Sequence, residues 1–405
     1  MSSYSEVIED DSSILVFVGK NGAGKSFTLS KILEHYPHNS LYISEEGIPR
    51  VLHPKNKIEI YNSKYLYSDE RNRGEQRITE EYEISAKSLE IIRYCESVLR
   101  EINKIKNKSQ GQKKMASILD IFLNYNFNNI NYILFDEPEN FLDESYLRVI
   151  VRLVKKLQEG KFKVRIATHN STLMVLLNIN IIDIRFFKDR KIIKITNEKL
   201  KELLKKSHEM IENQRMKRKL DEDGSIAYKL QIYKNDDLFN NYVDSHIKDI
   251  EFYKTIFYPN IIIVEGISDQ QALKSIYHIF NETTVLFIAN GKAWIPFFVL
   301  LFKELNKEIR VIIDKDNAKH MLAITYVLQD IEDIRVIIHD PDMEGEYGLN
   351  LEEVGRKYGM SNNVRKNNTG WLKQIAAYDY FKIGENQERL LKKVFVIDEH
   401  EYEFS

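Results

Sequence analysis

Ile14-Leu15-Val16-Phe17-Val18-Gly19-Lys20-Asn21-Gly22-Ala23-Gly24-Lys25-Ser26 decides how the first half of this chain folds. A short run of apolar β-formers meets a glycine-rich turn, and a helical pattern follows towards His35. The turn matches the complete phosphate-binding pattern G-x-x-x-x-G-K-S in its required setting between strand and helix. Gly19, Asn21, Gly22 and Gly24 belong to a loop whose backbone N–H groups wrap phosphate oxygens. Lys25 supplies positive charge to the β and γ phosphates, and Ser26 offers its hydroxyl to magnesium.

Working outward, Tyr132-Ile133-Leu134-Phe135-Asp136-Glu137 is a second apolar strand, ending in two acids. In that position Asp136 stands behind the magnesium and Glu137 polarises the attacking water. Between the two strands, Lys108-Ser109-Gln110-Gly111-Gln112-Lys113 heads a helical stretch. Downstream come Asn140-Phe141-Leu142-Asp143 and Ala167-Thr168-His169-Asn170. Further strands are expected over Leu41–Ile43, Lys57–Tyr61 and Lys163–Thr168, with a hairpin over Asp183–Thr196 turning at Asp189-Arg190. Helices are expected over Ser85–Lys104, Gln112–Leu123 and Glu144–Gln158. This alternation predicts a largely parallel sheet with helices on its faces.

In that order the motifs resemble an ABC ATPase head of the chromosome-maintenance and repair class, over roughly residues 10 to 200. The resemblance implies ATP and Mg²⁺ as cofactors, with Ser26 and Asp136 on the metal and Glu137 and His169 as catalytic residues. It implies also that Ser109, Gly111 and Gln112 contact the γ-phosphate held by another subunit, which makes the protein at least a homodimer. No glutamine is assigned to link magnesium to the helical lobe.

The second half begins with a charged helical stretch, Glu198–Lys219, broken at Asp221–Gly224 and followed by helical spacing over Ser225–Lys254. Then Ile261-Ile262-Ile263-Val264 is a buried strand ending in Glu265-Gly266, with Asp269 at a helix start. Glu308–Ile313 is another, ending in Asp314-Lys315-Asp316. Strand C-termini of a parallel sheet point into one crevice, where hard carboxylate oxygens suit Mg²⁺ or Mn²⁺. Like-charged acids crowded together favour a cation between them.

This pairing of Val-Glu-Gly with Asp-x-Asp, with Asn290-Gly291-Lys292 between, resembles the Toprim domain. An ABC head followed by a Toprim domain resembles the OLD family of nucleases. The resemblance implies metal binding by Glu265, Asp269, Asp314 and Asp316, with catalytic parts for Glu265, Asp314 and Asp316. A further ligand is expected within His339–Glu346: Glu344 is preferred, with Asp342 and Glu346 as competitors. A late catalytic lysine is also implied, for which Lys373 and Lys366 are the candidates. The expected fold class is α/β: a P-loop ABC ATPase head (1–200), a helical connector (201–256) and a Rossmann-like Toprim domain (257–405).

Composition agrees with such a chain. Its 405 residues suit two cores, and 43% hydrophobic with 30% charged residues is a soluble globular balance. The net charge of −2 argues against a uniformly basic nucleic-acid coat. Cys95, the sole cysteine, forms no internal disulfide and no cysteine zinc cluster. The polar start and the lack of a long apolar run point to the cytoplasm and away from membranes. Lys104, Lys106, Lys108, Lys113 and Lys114 form a basic rim that either touches phosphate backbone or is solvated. Trp294 and Trp371 are expected in the core. The expected function is an ATP-regulated, metal-dependent endonuclease acting on nucleic acid, DNA favoured, in anti-phage defence, with a defence-system protein or RNA as a further partner. The alternative is a defence or DNA-repair ATPase that senses nucleic acid or phage and regulates a partner effector without cutting.

Overall fold

The structure, a computed structural model, describes residues 4–50, 86–124, 130–188, 191–220, 231–315, 319–340, 342–360 and 369–395. The chain divides into two compact units, Met1–Thr196 and Asn197–Ser405.

The first unit is built on seven strands: β1 (Ile14–Gly19), β2 (Ser40–Ile43), β3 (Pro49–Arg50), β4 (Tyr132–Asp136), β5 (Lys163–Ala167), β6 (Ile184–Lys188) and β7 (Lys191–Lys194). Their order is β3-β2-β4-β5-β1-β6-β7. The inner five are parallel, and the edge strands β3 and β7 pair antiparallel with β2 and β6. β4 is buried along its whole length and β1 except at Gly19, as strands covered by helices on both faces require. The helix Glu144–Glu159 shows how the faces are covered. Leu147, Ile150, Val151, Val154 and Leu157 recur at helical spacing and are buried, each contributing about 1.5–3 kcal/mol. Asp143 caps its start, accepting from the Tyr146 N–H at 3.1 Å. The strand expected over Lys57–Tyr61 lies outside the described residues.

A buried ionic knot fixes the chain just before β1. Arg165 on β5 donates to the carbonyls of Asp10 (2.6 Å) and Ser12 (2.8 Å), and Arg185 on β6 pairs with the Asp10 carboxylate. Burial opposes ionisation of Asp10. Hydrogen bonds from Ser12 and the Arg185 charge outweigh it and hold the carboxyl well below the usual carboxylate range.

The second unit holds a four-stranded, fully parallel sheet: β8 (Asn260–Val264), β9 (Thr284–Ile288), β10 (Glu308–Asp314) and β11 (Ile334–His339), in the order β11-β10-β8-β9. The chain leaves β8 towards β9 on one side and returns to place β10 on the other. The switch point, where parallel sheets bind ligands, therefore lies between the C-terminal ends of β8 and β10. The helix Ile295–Glu304 is buried nearly all round through Ile295, Phe297, Phe298, Val299, Leu301 and Phe302. The helix Asn197–Lys217 packs on it and on the helix Lys319–Asp330, with Lys199 3.0 Å from Glu304. The helical spacing of Ser225–Lys254 is not one helix. Its described part is a 3₁₀ turn (Gln231–Lys234) and two helices, Asp236–His246 and Ile250–Phe257. The side chains of Asn235 and Asp249 restart the backbone there, accepting from the N–H groups of Leu238 and Ile250.

Candidate functional site

In the first unit the strand ends of β1 and β4 carry the expected nucleotide residues. Gly19 closes β1 so tightly that an added Cβ would sit 2.4 Å from the Phe187 carbonyl oxygen. Gly22 and Gly24 take φ of +78° and +107°, which L side chains rarely adopt. Lys25 is buried and donates to the Gly19 and Lys20 carbonyls at 2.8 and 3.3 Å. Burial lowers its pKa, against the pull of Glu137, Asp136 and Glu139. The Ser26 hydroxyl donates to Asp136 Oδ1 at 2.9 Å, and the buried Tyr42 hydroxyl to Oδ2 at 2.5 Å. A hydroxyl facing a buried carboxylate beside a lysine-bearing phosphate loop fits Mg²⁺-ATP in donor type and charge. Asn21 is exposed on the loop.

Glu137, just past β4, sits at φ +45°, a left-handed conformation costing roughly 1–2 kcal/mol for a residue with a Cβ. His169 Nδ1 lies 3.3 Å from Glu137 Oε1 and 3.8 Å from Glu139 Oε1. Glu139 is buried, and it accepts from the Thr168 hydroxyl at 2.5 Å and the His169 N–H at 3.2 Å. Burial pushes its pKa up. Asn140 Nδ2 donates to Glu137 Oε2 (2.9 Å) and to Glu45 Oε1 (2.7 Å). Ser109 and Gln112 cap the helix Gln110–Asn124 reciprocally: Ser109 N–H donates to Gln112 Oε1 at 2.9 Å, and Gln112 N–H to Ser109 Oγ at 3.2 Å. Gly111 is fixed by crowding, because a Cβ there would meet the Phe141 carbonyl oxygen at 2.3 Å.

In the second unit the acids gather at the switch point. Asp314 ends β10, and its Oδ1 accepts from the Met343 N–H at 3.0 Å. Burial, with Glu344 and Asp342 adding repulsion, pushes Asp314 up to about 6. Asp269 is buried and accepts from the Gly266 N–H at 3.2 Å. Burial and the charges of Asp314, Glu265 and Glu344 push it up to about 8. Lys373 Nζ reaches Glu344 Oε2 at 3.1 Å, and its pKa is raised: burial opposes this, but Glu344, Asp342 and Asp314 prevail. All these donors are hard oxygens in a like-charged group, which fits a divalent cation. As placed, no three acid or histidine side chains form a metal-holding group among the described residues. Asp316 and Lys366 lie outside them.

The three candidates for a further ligand have different surroundings. Glu344 faces Lys373 and the crowded acids. Asp342 caps the helix Met343–Tyr347, accepting from the Gly345 N–H at 2.7 Å. Glu346 is held by His339 (3.0 Å) and by Lys393. Two expectations fail. Lys114 is not on a solvated rim but buried, at 5% exposure, because it belongs to the apolar stripe of its helix. Trp371 is 52% exposed, since its helix buries Leu372, Ala376 and Ala377 instead. Trp294 stacks on the Tyr242 ring at 4.3 Å. Tyr42 and Glu139 have no part in the sequence reading, and Lys114 and Lys292 appear there without the contacts they make. Lys292, 1% exposed, donates from Nζ to the Asp314 carbonyl at 2.6 Å, while Gly291 N–H donates to the Glu265 carbonyl at 3.3 Å. Their Asn-Gly turn thereby straps the ends of β8 and β10 together.

Residues 9–140 match the family described as ABC transporter. No curated protein matches the chain. Two solved structures of the ATP-binding cassette MJ0796 are similar to it at 19% identity, covering 45% of this chain and 84% of theirs. One is described as a dimeric post-hydrolysis state bound to ADP and Pi (TM-score 0.27), the other as a dimeric bacterial ABC transporter cassette (TM-score 0.26). No helix among the described residues is long and apolar enough to cross a membrane. From the family match and the ordered motifs, the first unit carries the α/β P-loop fold of the ABC ATPases.

Proposed function

We propose that this chain is an ATP-regulated, divalent-metal-dependent nuclease of the OLD kind, in which an ABC-type head governs a Toprim-like crevice. The observation that carries the reading is the mutual crowding of Asp269, Asp314 and Glu344, with Lys373 beside them, at the switch point of a parallel sheet. Glu265, Asp269, Asp314 and Glu344, joined by Asp316, would hold Mg²⁺ or Mn²⁺. A divalent ion there would supply Lewis acidity to a phosphodiester and lower the pKa of a water. Lys373, paired with Glu344 at 3.1 Å, brings a cation to a crevice otherwise lined by acids. Lys292 fixes the end of β10, and so the place of Asp314.

In the head, Lys25, Ser26 and Asp136 would hold Mg²⁺-ATP, Glu137 accept a proton from water, and His169 steady Glu137. Ser109 and Gln112, capping an exposed helix start, suit the nucleotide of a second copy, which supports a homodimer or higher oligomer. DNA is the favoured substrate and anti-phage defence in the cytoplasm the favoured setting, with a defence-system protein or RNA as a further partner. The test is cleavage of plasmid, linear DNA and tRNA with Mg²⁺ or Mn²⁺, with and without ATP, by wild type, Glu265→Ala and Asp314→Ala. Loss of cutting in both variants with ATP hydrolysis intact is expected, and cutting that survives both removes the crevice from the chemistry.

The same assay separates this reading from its alternative, an ATPase that senses nucleic acid or phage and regulates a separate effector: protein that hydrolyses ATP yet cuts nothing under any metal condition selects the alternative.

A further inference from the structure

Lys114 is a charge buried with no carboxylate hydrogen bond of its own among its described contacts. Its ammonium donates instead to two backbone carbonyls, Glu137 and Asn140, each at 3.0 Å. Those carbonyls belong to the turn after β4, which holds two left-handed residues with side chains, Glu137 (φ +45°) and Phe141 (φ +67°). Such conformations persist only where surroundings impose them. Two surroundings do so here, and both come from the helix Gln110–Asn124. Lys114 clasps the turn from below, and Gly111 admits the Phe141 carbonyl where any Cβ would exclude it.

Four acids surround the ammonium from different elements: Glu139 and Glu137 on the turn, and Glu45 and Glu46 after β2. Their attraction offsets part of the burial of Lys114, and burial still lowers its pKa, to about 8. The carboxylate of Glu137 is meanwhile steered by Asn140 Nδ2, whose own carbonyl Lys114 holds. The helix capped by Ser109 and Gln112 is thus hydrogen-bonded, through one side chain, to the residue best placed to activate water.

We propose that Lys114 is a positioning residue that sets Glu137 for ATP hydrolysis and makes its setting depend on the helix begun by Ser109. Ligand binding at the start of that helix shifts the helix, Lys114 carries the shift to the Glu137 and Asn140 carbonyls, and Glu137 is presented or withdrawn. The proposal rests on the ATPase reading of the first unit and names a control on the same site.

The experiment compares wild type, Lys25→Ala, Lys114→Met and Lys114→Arg for binding of a fluorescent ATP analogue, for kcat and KM of ATP hydrolysis, and for thermal unfolding. Lys114→Met is expected to bind nucleotide within about threefold of wild type while kcat falls by about 30-fold or more, with Lys114→Arg recovering part of it. A folded Lys114→Met with wild-type kcat overturns the proposal, as does one in which kcat falls only in proportion to unfolded protein. Should Lys114→Met not fold, hydrogen exchange on the wild type decides. Residues 110–116 and 137–142 are expected to gain protection together when ATPγS and Mg²⁺ are added, and independent protection overturns the proposal. Wild-type protein that binds nucleotide no better than Lys25→Ala defeats the ATPase reading itself and this proposal with it.

Discussion

Lys373 Nζ stands 3.1 Å from Glu344 Oε2, joining the helix Thr369–Tyr380 to the short helix that follows β11. The pair puts a cation beside acids that otherwise repel one another. Lys373→Met is expected to lower metal-dependent cleavage by about 100-fold, the scale of losing one charged group that stabilises a transition state. ATP hydrolysis stays within about twofold. Plasmid nicking and phosphate release, measured on one preparation, check both halves.

Asp269 is buried among like charges, so its ionised form stores repulsion that a cation relieves. Asp269→Asn removes one of those charges. In EDTA at pH 8 it is expected to stabilise the second unit by about 1–2 kcal/mol, and to weaken Mn²⁺ binding about tenfold. Thermal unfolding with EDTA and calorimetric Mn²⁺ titration read the two effects, and a destabilised variant with unchanged Mn²⁺ affinity contradicts the role given to Asp269.

Asp10 gives a pH dependence of opposite origin. Its folded pKa is depressed, so its contribution to stability is present in full above the ordinary carboxylate range and is lost as pH falls below about 4. Asp10→Asn leaves Arg185 buried without its counter-charge and is expected to cost the first unit about 2–4 kcal/mol at pH 7. The difference from wild type begins to shrink below about pH 4, where the unfolded chain's carboxyl takes up a proton that the folded one, with its depressed pKa, still refuses. Urea unfolding at about pH 7, 4 and 2.5 follows it, and a gap that stays constant across that series tells against the knot.

Gly111→Ala places a methyl group 2.3 Å from the Phe141 carbonyl oxygen, closer than real Cβ contacts come. The expected cost is about 1–3 kcal/mol of stability in the first unit, with the turn after β4 displaced. Denaturant unfolding measures the first, and wild-type stability in the variant shows that the two segments are not pressed together as described.

The nucleotide half was legible because its chemistry is written in contiguous words. A phosphate loop needs its glycines, lysine and serine in one turn, and a strand ending in Asp136-Glu137 announces itself. The contacts of Glu139, Lys114 and Lys292 were missed because they arise from proximity across the chain. Lys114 left one usable trace. It falls in the helical stripe Gly111, Lys114, Met115, Ile118, Leu119 and Phe122, all buried, where a lysine is out of place. Its neighbour Lys113, off that stripe, is exposed. For Trp371 the same geometry worked in reverse, since the buried stripe of its helix runs through Leu372 and Ala376 and leaves the indole outside. Among Asp342, Glu344 and Glu346, the sequence reading preferred Glu344 but could not show what separates the three. The choice depends on which acid helix capping and His339 already occupy.

The strand order of the second unit also bears on when its crevice first exists in a living cell. β8 acquires its neighbour on the Asp314 side only after the chain has passed through β9 and the buried helix behind it. A ribosome-bound chain that stops short of residue 314 has one acid-bearing strand end and nothing opposite it. The halves of the acid cluster meet late in translation, so a prematurely terminated fragment carries no assembled cluster.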